Sequence, residues 1–159
     1  MRPPGEAAGA IRIRPVPAVN AAIIDPRGRV LLTRRSAVVR EPGKWCLPGG
    51  HFDGGEDWVR AVRREVREEV GLDVIEEELY GIYSNPEVTV SAEPSTEGWY
   101  GQFVVACFLV RRFEGVVKVN HEVDLWGWFP GDALPSPLLK SHPVRIRDAF
   151  EFSGRVFVR

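Results

Sequence analysis

Residues 50–72 read GHFDGGEDWVRAVRREVREEVGL, a glycine-rich loop running directly into an amphipathic helix. The helix is predicted over residues 58–70, with Asp57 as N-cap and Gly71 as the C′ residue that ends it. At about 100° per residue, Val59, Val62, Val66 and Val70 form one apolar stripe suited to packing on a sheet. Arg60, Arg63 and Arg67 form a solvated basic face, with Arg64 just beyond it. Glu65, Glu68 and Glu69 fill a third sector beside the apolar stripe. Like charges at i, i+3 and i+4 cost about 0.2–0.5 kcal/mol per pair, so something must compensate this cluster. A hard divalent cation held by oxygen ligands would do so. A solvated acidic face, relieved by Arg64 reaching Glu68 at i+4, would do so too. The helix alone leaves both readings open.

Outward from this segment, strands and helices alternate. An apolar run at 19–24, the turn Asp25-Pro26-Arg27-Gly28 and a second run at 30–33 predict a β-hairpin. A short apolar segment at 45–47 leads into Pro48-Gly49-Gly50. Downstream, residues 79–83 read as a strand and 84–98 as a long connection. Residues 103–111 read as a strand buried on both faces. Shorter strands are predicted at 116–119 and 126–129, and a helix near 143–152 with Pro143 in its first turn. Such interspersion implies an α/β fold, a mixed sheet with helices on its faces. Residues 1–17, rich in Pro, Gly and Arg, read as a flexible arm or an edge segment, and 18–159 as one domain.

The bulk numbers narrow the function classes. The chain has 159 residues, 21 basic and 22 acidic, for a net charge of −1. That balance gives no global case for binding nucleic acid or an anionic membrane. No apolar stretch is long enough to span a bilayer, and the N-terminus lacks the apolar centre of a signal peptide, which makes the cytoplasm the expected location. Cys46 and Cys107 lie in apolar runs and read as reduced, buried thiols.

Residues 50–72 resemble the Nudix box, G-x5-E-x7-R-E-U-x-E-E-x-G-U with U aliphatic. Gly50, Glu56, Arg64, Glu65, Val66, Glu68, Glu69, Gly71 and Leu72 all match. The approach GKWCLPGG at 43–50 and the segment HEVDL at 121–125, with Trp126 to Phe129 after it, are similar to flanking features of MutT-like family members. The resemblance implies a Nudix-type α/β/α sandwich with a mixed β-sheet between helices. It also implies a metal-dependent hydrolase in which water attacks phosphorus of a diphosphate linkage, with Mg²⁺ or Mn²⁺ as cofactor. Mg²⁺ favours a few carboxylates plus phosphate oxygens and lowers the pKa of a bound water, which suits these residues.

Carried over by position, the resemblance implies metal ligation by Glu65 and Glu69, with Glu68 as a further ligand or the general base. The carbonyl of Gly50 is a further candidate ligand, and Glu122 a candidate acidic group from a distant loop. Glu56, Arg64 and Gly71 take structural roles within the box. Arg34 and Arg35 end a strand near the cleft and are candidates to hold a phosphate, with a salt bridge or solvent exposure as the alternative. Phe52, Trp99 and Tyr100 are candidate base-stacking aromatics, though core packing is the commoner use. His51, His121 and His142 read as histidines without a chemical role. The expected partner is a small-molecule nucleotide, and the resemblance also makes a homodimer an expectation. Nucleoside triphosphates and ADP-ribose-like compounds both remain open as substrates. A non-catalytic nucleotide-binding module is the rival reading, and the intact box glutamates speak against it.

Overall fold

The computed structural model describes residues 11–159. Its elements, in order, are β1 (Arg12–Ile23), β2 (Val30–Arg35), β3 (Trp45–Cys46), β4 (Gly49–His51), α1 (Trp58–Val70), β5 (Asp73–Tyr83), α2 (Pro86–Thr89), β6 (Trp99–Glu114), β7 (Val123–Phe129), α3 (His142–Glu151) and β8 (Phe157–Val158). Five strands form a mixed sheet in the order β4-β1-β6-β5-β8, and three form an antiparallel sheet, β3-β2-β7. The central strand β6 runs parallel to β1 and antiparallel to β5.

The two-residue period of the strands sorts the core into two layers. Val19, Ala21 and Ile23 of β1 and Ala106, Phe108 and Val110 of β6 pack with Val62, Val66 and Val70 of α1. The alternate residues, Ala18, Ala22, Val105, Cys107 and Leu109, pack with Ile146 and Ala149 of α3. Helices therefore cover both faces of the mixed sheet, and the α/β/α sandwich is the architecture observed. Helix α1 has the expected ends: the Asp57 carboxylate accepts the Arg60 N–H at 2.8 Å, and Gly71 adopts φ 72°.

Three expectations are corrected. The hairpin at 19–33 reduces to a single bridge, Ile24 to Val30, because β1 is already paired on both edges and β2 leaves for the smaller sheet. Residues 116–119 form no strand. They run past the end of α1 instead, where the Lys118 N–H donates to the Val70 carbonyl and that of Asn120 to the Glu69 carbonyl, satisfying orphan acceptors of the last turn. The third concerns the flexible arm, one of the two readings of 1–17. Residues 1–10 lie outside the described residues, but 12–17 are strand, paired with residues 99–104 of β6. Prolines are tolerated there for a geometric reason. The Ala21 N–H points to the Pro48 carbonyl on the β4 side. By the same period Pro15 and Pro17 face that edge, beyond the reach of β4, so no ladder bond is lost.

Helix α3 is fastened to the sheet by buried polar contacts. Asp148, with no exposed surface, accepts the Tyr83 hydroxyl at 2.9 Å and a bidentate pair from Arg159 at 2.7 and 3.1 Å. Burial works to raise the pKa of Asp148, but bonds from Arg159, Tyr83 and Arg147 outweigh it and hold the carboxyl below its ordinary 3.8. A depressed carboxylate pKa contributes stability that is present above 3.8 and lost as pH falls through the folded-state value. Tyr83→Phe is therefore expected to lower the unfolding free energy by about 1–2 kcal/mol at pH 7, with the deficit shrinking in acid. Urea titrations of the two proteins at pH 7 and down a series into acid well below 3.8 check this. A deficit that stayed constant to the acid end of the series would deny the charged contact.

Candidate active site

The loop between β3 and α1 and one face of that helix bring the box residues together. Arg64 is the hub. Its guanidinium donates to both oxygens of Glu56, at 2.6 and 3.0 Å, to the His51 carbonyl at 2.9 Å, to Glu65 at 3.0 Å and to Glu68 at 3.1 Å. The loop is thereby tied to the helix through Glu56, while Glu65 and Glu68 share the same cation. Gly71 closes the helix beside Lys118, whose carbonyl would lie 3.0 Å from a Cβ at that position.

Glu69 is the buried carboxylate of the group. It accepts the Thr33 hydroxyl at 2.9 Å and the Gly49 N–H at 3.0 Å. Burial raises its pKa, those two bonds oppose it, and repulsion from Glu65 and Glu122 adds to it, so the group is pushed up to about 7. Glu65 is also raised, first by burial, with Arg64 opposing and Glu68 and Glu122 contributing repulsion. Glu122 thus exerts its charge on the same two groups from a separate loop. Three bonds place that loop: the Asn120 side chain accepts the Glu122 N–H, the Ser36 N–H donates to the Glu122 carbonyl, and the Ser36 hydroxyl donates to the His121 carbonyl.

Gly50 lies directly under Glu65. A Cβ built on it would stand 2.5 Å from Glu65 Oε1, so only a residue without a side chain lets the carboxylate sit over this backbone. All the converging groups are oxygen donors, and their mutual repulsion is relieved by one guanidinium. That donor set suits a hard divalent cation. Among the described residues no three acidic, histidine or cysteine side chains already stand in a coordinating arrangement. Arg64 occupies Glu65 and Glu68, while Thr33 and Gly49 hold Glu69.

The remaining candidates separate. Successive residues of a strand face opposite ways, and Arg34 is turned away to an ion pair with Asp124 at 2.7 and 3.1 Å. Arg35 shares the face of Thr33, and its Nε donates to the Arg40 carbonyl. Burial, then the charges of Arg35 and Arg40, lower the pKa of His51, so these two cations lie beside the loop. Phe52 packs edge-on against Trp58, with centroids 4.5 Å apart. Trp99 and Tyr100 do not reach the loop. The strand level of His51 is Ala18 and Val105, and Tyr100 stands five residues further along β6, about 17 Å at the usual rise. Trp99 carries Arg14 on its ring instead. Phe103, nearer the site, stacks on His51. Burial pushes both thiols up to about 12, so Cys46 and Cys107 stay protonated and inert. Thr33 and Asn20 carry no signal of their own in the sequence. Asn20 does stand alone in the apolar run 18–24, whereas Thr33 ends its run beside Arg34.

Comparison with known proteins agrees with this geometry. The NUDIX domain model matches residues 14–150. The chain is 33% identical over 149 residues to the 8-oxo-dGDP phosphatase NUDT18 of Homo sapiens, covering 89% of this chain and 41% of that protein's length. It is 39% identical over 138 residues to the ADP-ribose pyrophosphatase of Methanocaldococcus jannaschii, covering 86% of this chain and 77% of that one. The crystal structure of the MutT NUDIX hydrolase from Burkholderia pseudomallei superposes with a TM-score of 0.68 at 32% identity, over 87% of this chain and 98% of the other. Among the described residues, no helix is long and apolar enough to cross a membrane. With the box glutamates gathered on one helix under a glycine loop, and the family model spanning most of the chain, this protein belongs to the Nudix family.

Proposed function

We propose that the protein hydrolyses a phosphoanhydride bond in a nucleoside diphosphate-linked compound or nucleotide, using Mg²⁺ or Mn²⁺ held by Glu65, Glu69 and the Gly50 carbonyl, with Glu68 and Glu122 beside them. The single observation that carries this is the placement of Glu65 over Gly50 and of Glu69 on the Gly49 N–H, with the charge of Glu122 acting on both carboxylates. A divalent ion bound there supplies charge neutralisation for phosphate oxygens and acidifies a water. Glu65 and Glu69 are fixed by their surroundings and suit ligation. Glu68 has a side chain 59% exposed, bonded to Arg64, and suits taking a proton from the attacking water. Arg35 and Arg40 give the cleft a positive rim that suits the phosphate chain, a contribution of positioning and electrostatics to phosphoryl transfer. Arg34 is left out of this reading, since its guanidinium is paired with Asp124. The relatives named for 8-oxo-dGDP and ADP-ribose support both nucleotides and ADP-ribose-like compounds as substrate classes.

The test is a panel of nucleoside di- and triphosphates, 8-oxo-dGDP and ADP-ribose, each incubated with the protein and Mg²⁺ or Mn²⁺ in ¹⁸O-labelled water. Products are separated by ion exchange and the labelled phosphorus located by mass. The expected result is metal-dependent release of a nucleoside monophosphate or orthophosphate from at least one class, with the label on one product phosphate. No turnover across the panel, with either ion, would overturn the reading.

A further inference from the structure

Besides Asp148, helix α3 carries two buried polar side chains that the proposed chemistry leaves unused. His142 and Arg145 are each 4% exposed. His142 Nδ1 accepts the N–H of Leu47 at 3.0 Å. Arg145 donates to Asn20 Oδ1 at 2.8 Å, and the Asn20 amide in turn faces the Pro48 carbonyl at 3.5 Å. The segment before the helix adds two backbone bonds, from the Trp45 N–H to the Pro137 carbonyl at 2.8 Å and from the Leu139 N–H to the Trp45 carbonyl at 2.9 Å. The chain is thus gripped from behind up to Pro48. The very next N–H, that of Gly49, points at Glu69, and Gly50 follows beneath Glu65.

Packing alone does not call for these residues. The Arg145 Nε is buried without a hydrogen-bond partner among the described residues. Burying a guanidinium so incompletely paired is costly, and apolar side chains of similar volume fill such sites at equal or better stability. Ile146 and Ala149, beside them on the helix, pack in the apolar core, and the buried contacts of Asp148 go to Tyr83 and Arg159 rather than to the loop. What an apolar pair would forfeit is the hold on the loop.

We propose that His142 and Arg145 are positioning residues for the active site: from α3 they fix the backbone of Leu47 and Pro48, and thereby the Gly49 N–H that orients Glu69 and the Gly50 carbonyl beside Glu65. The inference rests on the proposed role of those groups in metal binding. It makes the C-terminal helix part of the site's frame, acting on the box through Leu47 and Pro48. His142 serves only as the neutral ring with an open Nδ1. Burial, then the charges of Arg145 on its own helix and Arg35 from β2, favour that form.

The test uses the full chain with His142→Ala, which removes the acceptor, and His142→Asn, whose Oδ1 occupies the place of Nδ1. Circular dichroism and thermal melting establish folding. The readouts are Mn²⁺ binding by electron paramagnetic resonance and amide exchange at Leu47 and Gly49 by NMR. In H142A, exchange at Leu47 is expected to accelerate at least tenfold relative to amides of β6, and Mn²⁺ affinity to fall about 10–100-fold, the range for lost outer-shell support. H142N should restore both to within about threefold of the parent. Parent-like Mn²⁺ affinity in folded H142A overturns the proposal, as does equal loss in H142A and H142N, which would mark simple packing. If H142A does not fold, Arg145→Met decides: a folded protein with at least a tenfold loss of Mn²⁺ affinity is expected, and unchanged affinity overturns the proposal. A parent protein that takes up no Mn²⁺ at all defeats the proposed function instead. Slow, His142-dependent exchange at Leu47 would in that case still report the grip on the loop.

Discussion

Glu69→Gln is expected to abolish turnover while making the metal-free protein more stable. The carboxylate is buried, and burial is the first cause of its pKa being pushed up to about 7, with Glu65 and Glu122 adding repulsion. The unfolded chain ionises near the ordinary 4.5. A raised folded-state pKa means that stability is intact below 4.5 and drains away as pH rises towards 7, because the native state resists giving up a proton the unfolded chain has already lost. Above pH 7 the full penalty applies, roughly 3 kcal/mol. Glutamine removes the penalty and keeps both contacts. Its carbonyl accepts the Gly49 N–H, and the Thr33 hydroxyl rotates to accept from its amide. Urea denaturation in EDTA should therefore show E69Q gaining on the parent between pH 4.5 and 7. In saturating Mg²⁺ the order should narrow or reverse, since a ligand that binds only the folded parent stabilises it by mass action. Turnover should fall on the order of 10³-fold in kcat, the scale seen when one preorganised group serving the reacting oxygens is removed. Retention of parent kcat by E69Q would refute the ligand role. A variant less stable than the parent in EDTA at pH 8 would refute the account of its burial.

That variant also marks where the sequence was legible and where it was not. Helix α1 was readable because everything that defines it is local: Asp57 and Gly71 at the ends, and a valine every three or four residues between them. The neighbour relations that give Glu69 its character are not local. Thr33 lies 36 residues away and Gly49 lies 20 away, and nothing in either residue announces the pairing. Strand order failed for a related reason. Residues 19–33 carry sound turn chemistry, with Asp25 accepting the N–H groups of Arg27 and Arg29, yet the strands on either side join different sheets. A turn sets direction, whereas sheet partners are chosen by surfaces far along the chain. Arg34 and Arg35 are adjacent in sequence, yet the strand period sets them on opposite faces. His142 shows no role in the sequence because its partner, the Leu47 N–H, stands 95 residues upstream. Local signals thus defined the element that carries the chemistry, and long-range contacts defined how that chemistry is held.

The adjacent glycines of the loop offer a way to separate fold from site with one methyl group each. Gly49→Ala is expected to cost the fold. Its φ of 155° is one that L side chains rarely adopt, and the new Cβ would lie 2.0 Å from the Val19 carbonyl oxygen and 2.9 Å from the Asn20 Cα. These are backbone atoms of a strand paired on both edges, so they cannot step aside. Overpacking and the unfavourable dihedral together should lower the unfolding free energy by about 3–5 kcal/mol. Gly50→Ala meets different atoms: Glu65 Oε1 at 2.5 Å and Oε2 at 2.8 Å, the far end of a flexible side chain. That side chain can swing away at little cost to stability, but in doing so it leaves the backbone it was held against. G50A should remain within about 1 kcal/mol of the parent in urea, the range of tolerated changes. It should nevertheless lose at least about tenfold in Mn²⁺ affinity and about 100-fold in turnover. If G50A kept parent affinity for Mn²⁺, the contact between Glu65 and the loop backbone would have no part in the metal site. If G49A proved as stable as the parent, the strand β1 would have to yield where its pairing says it cannot.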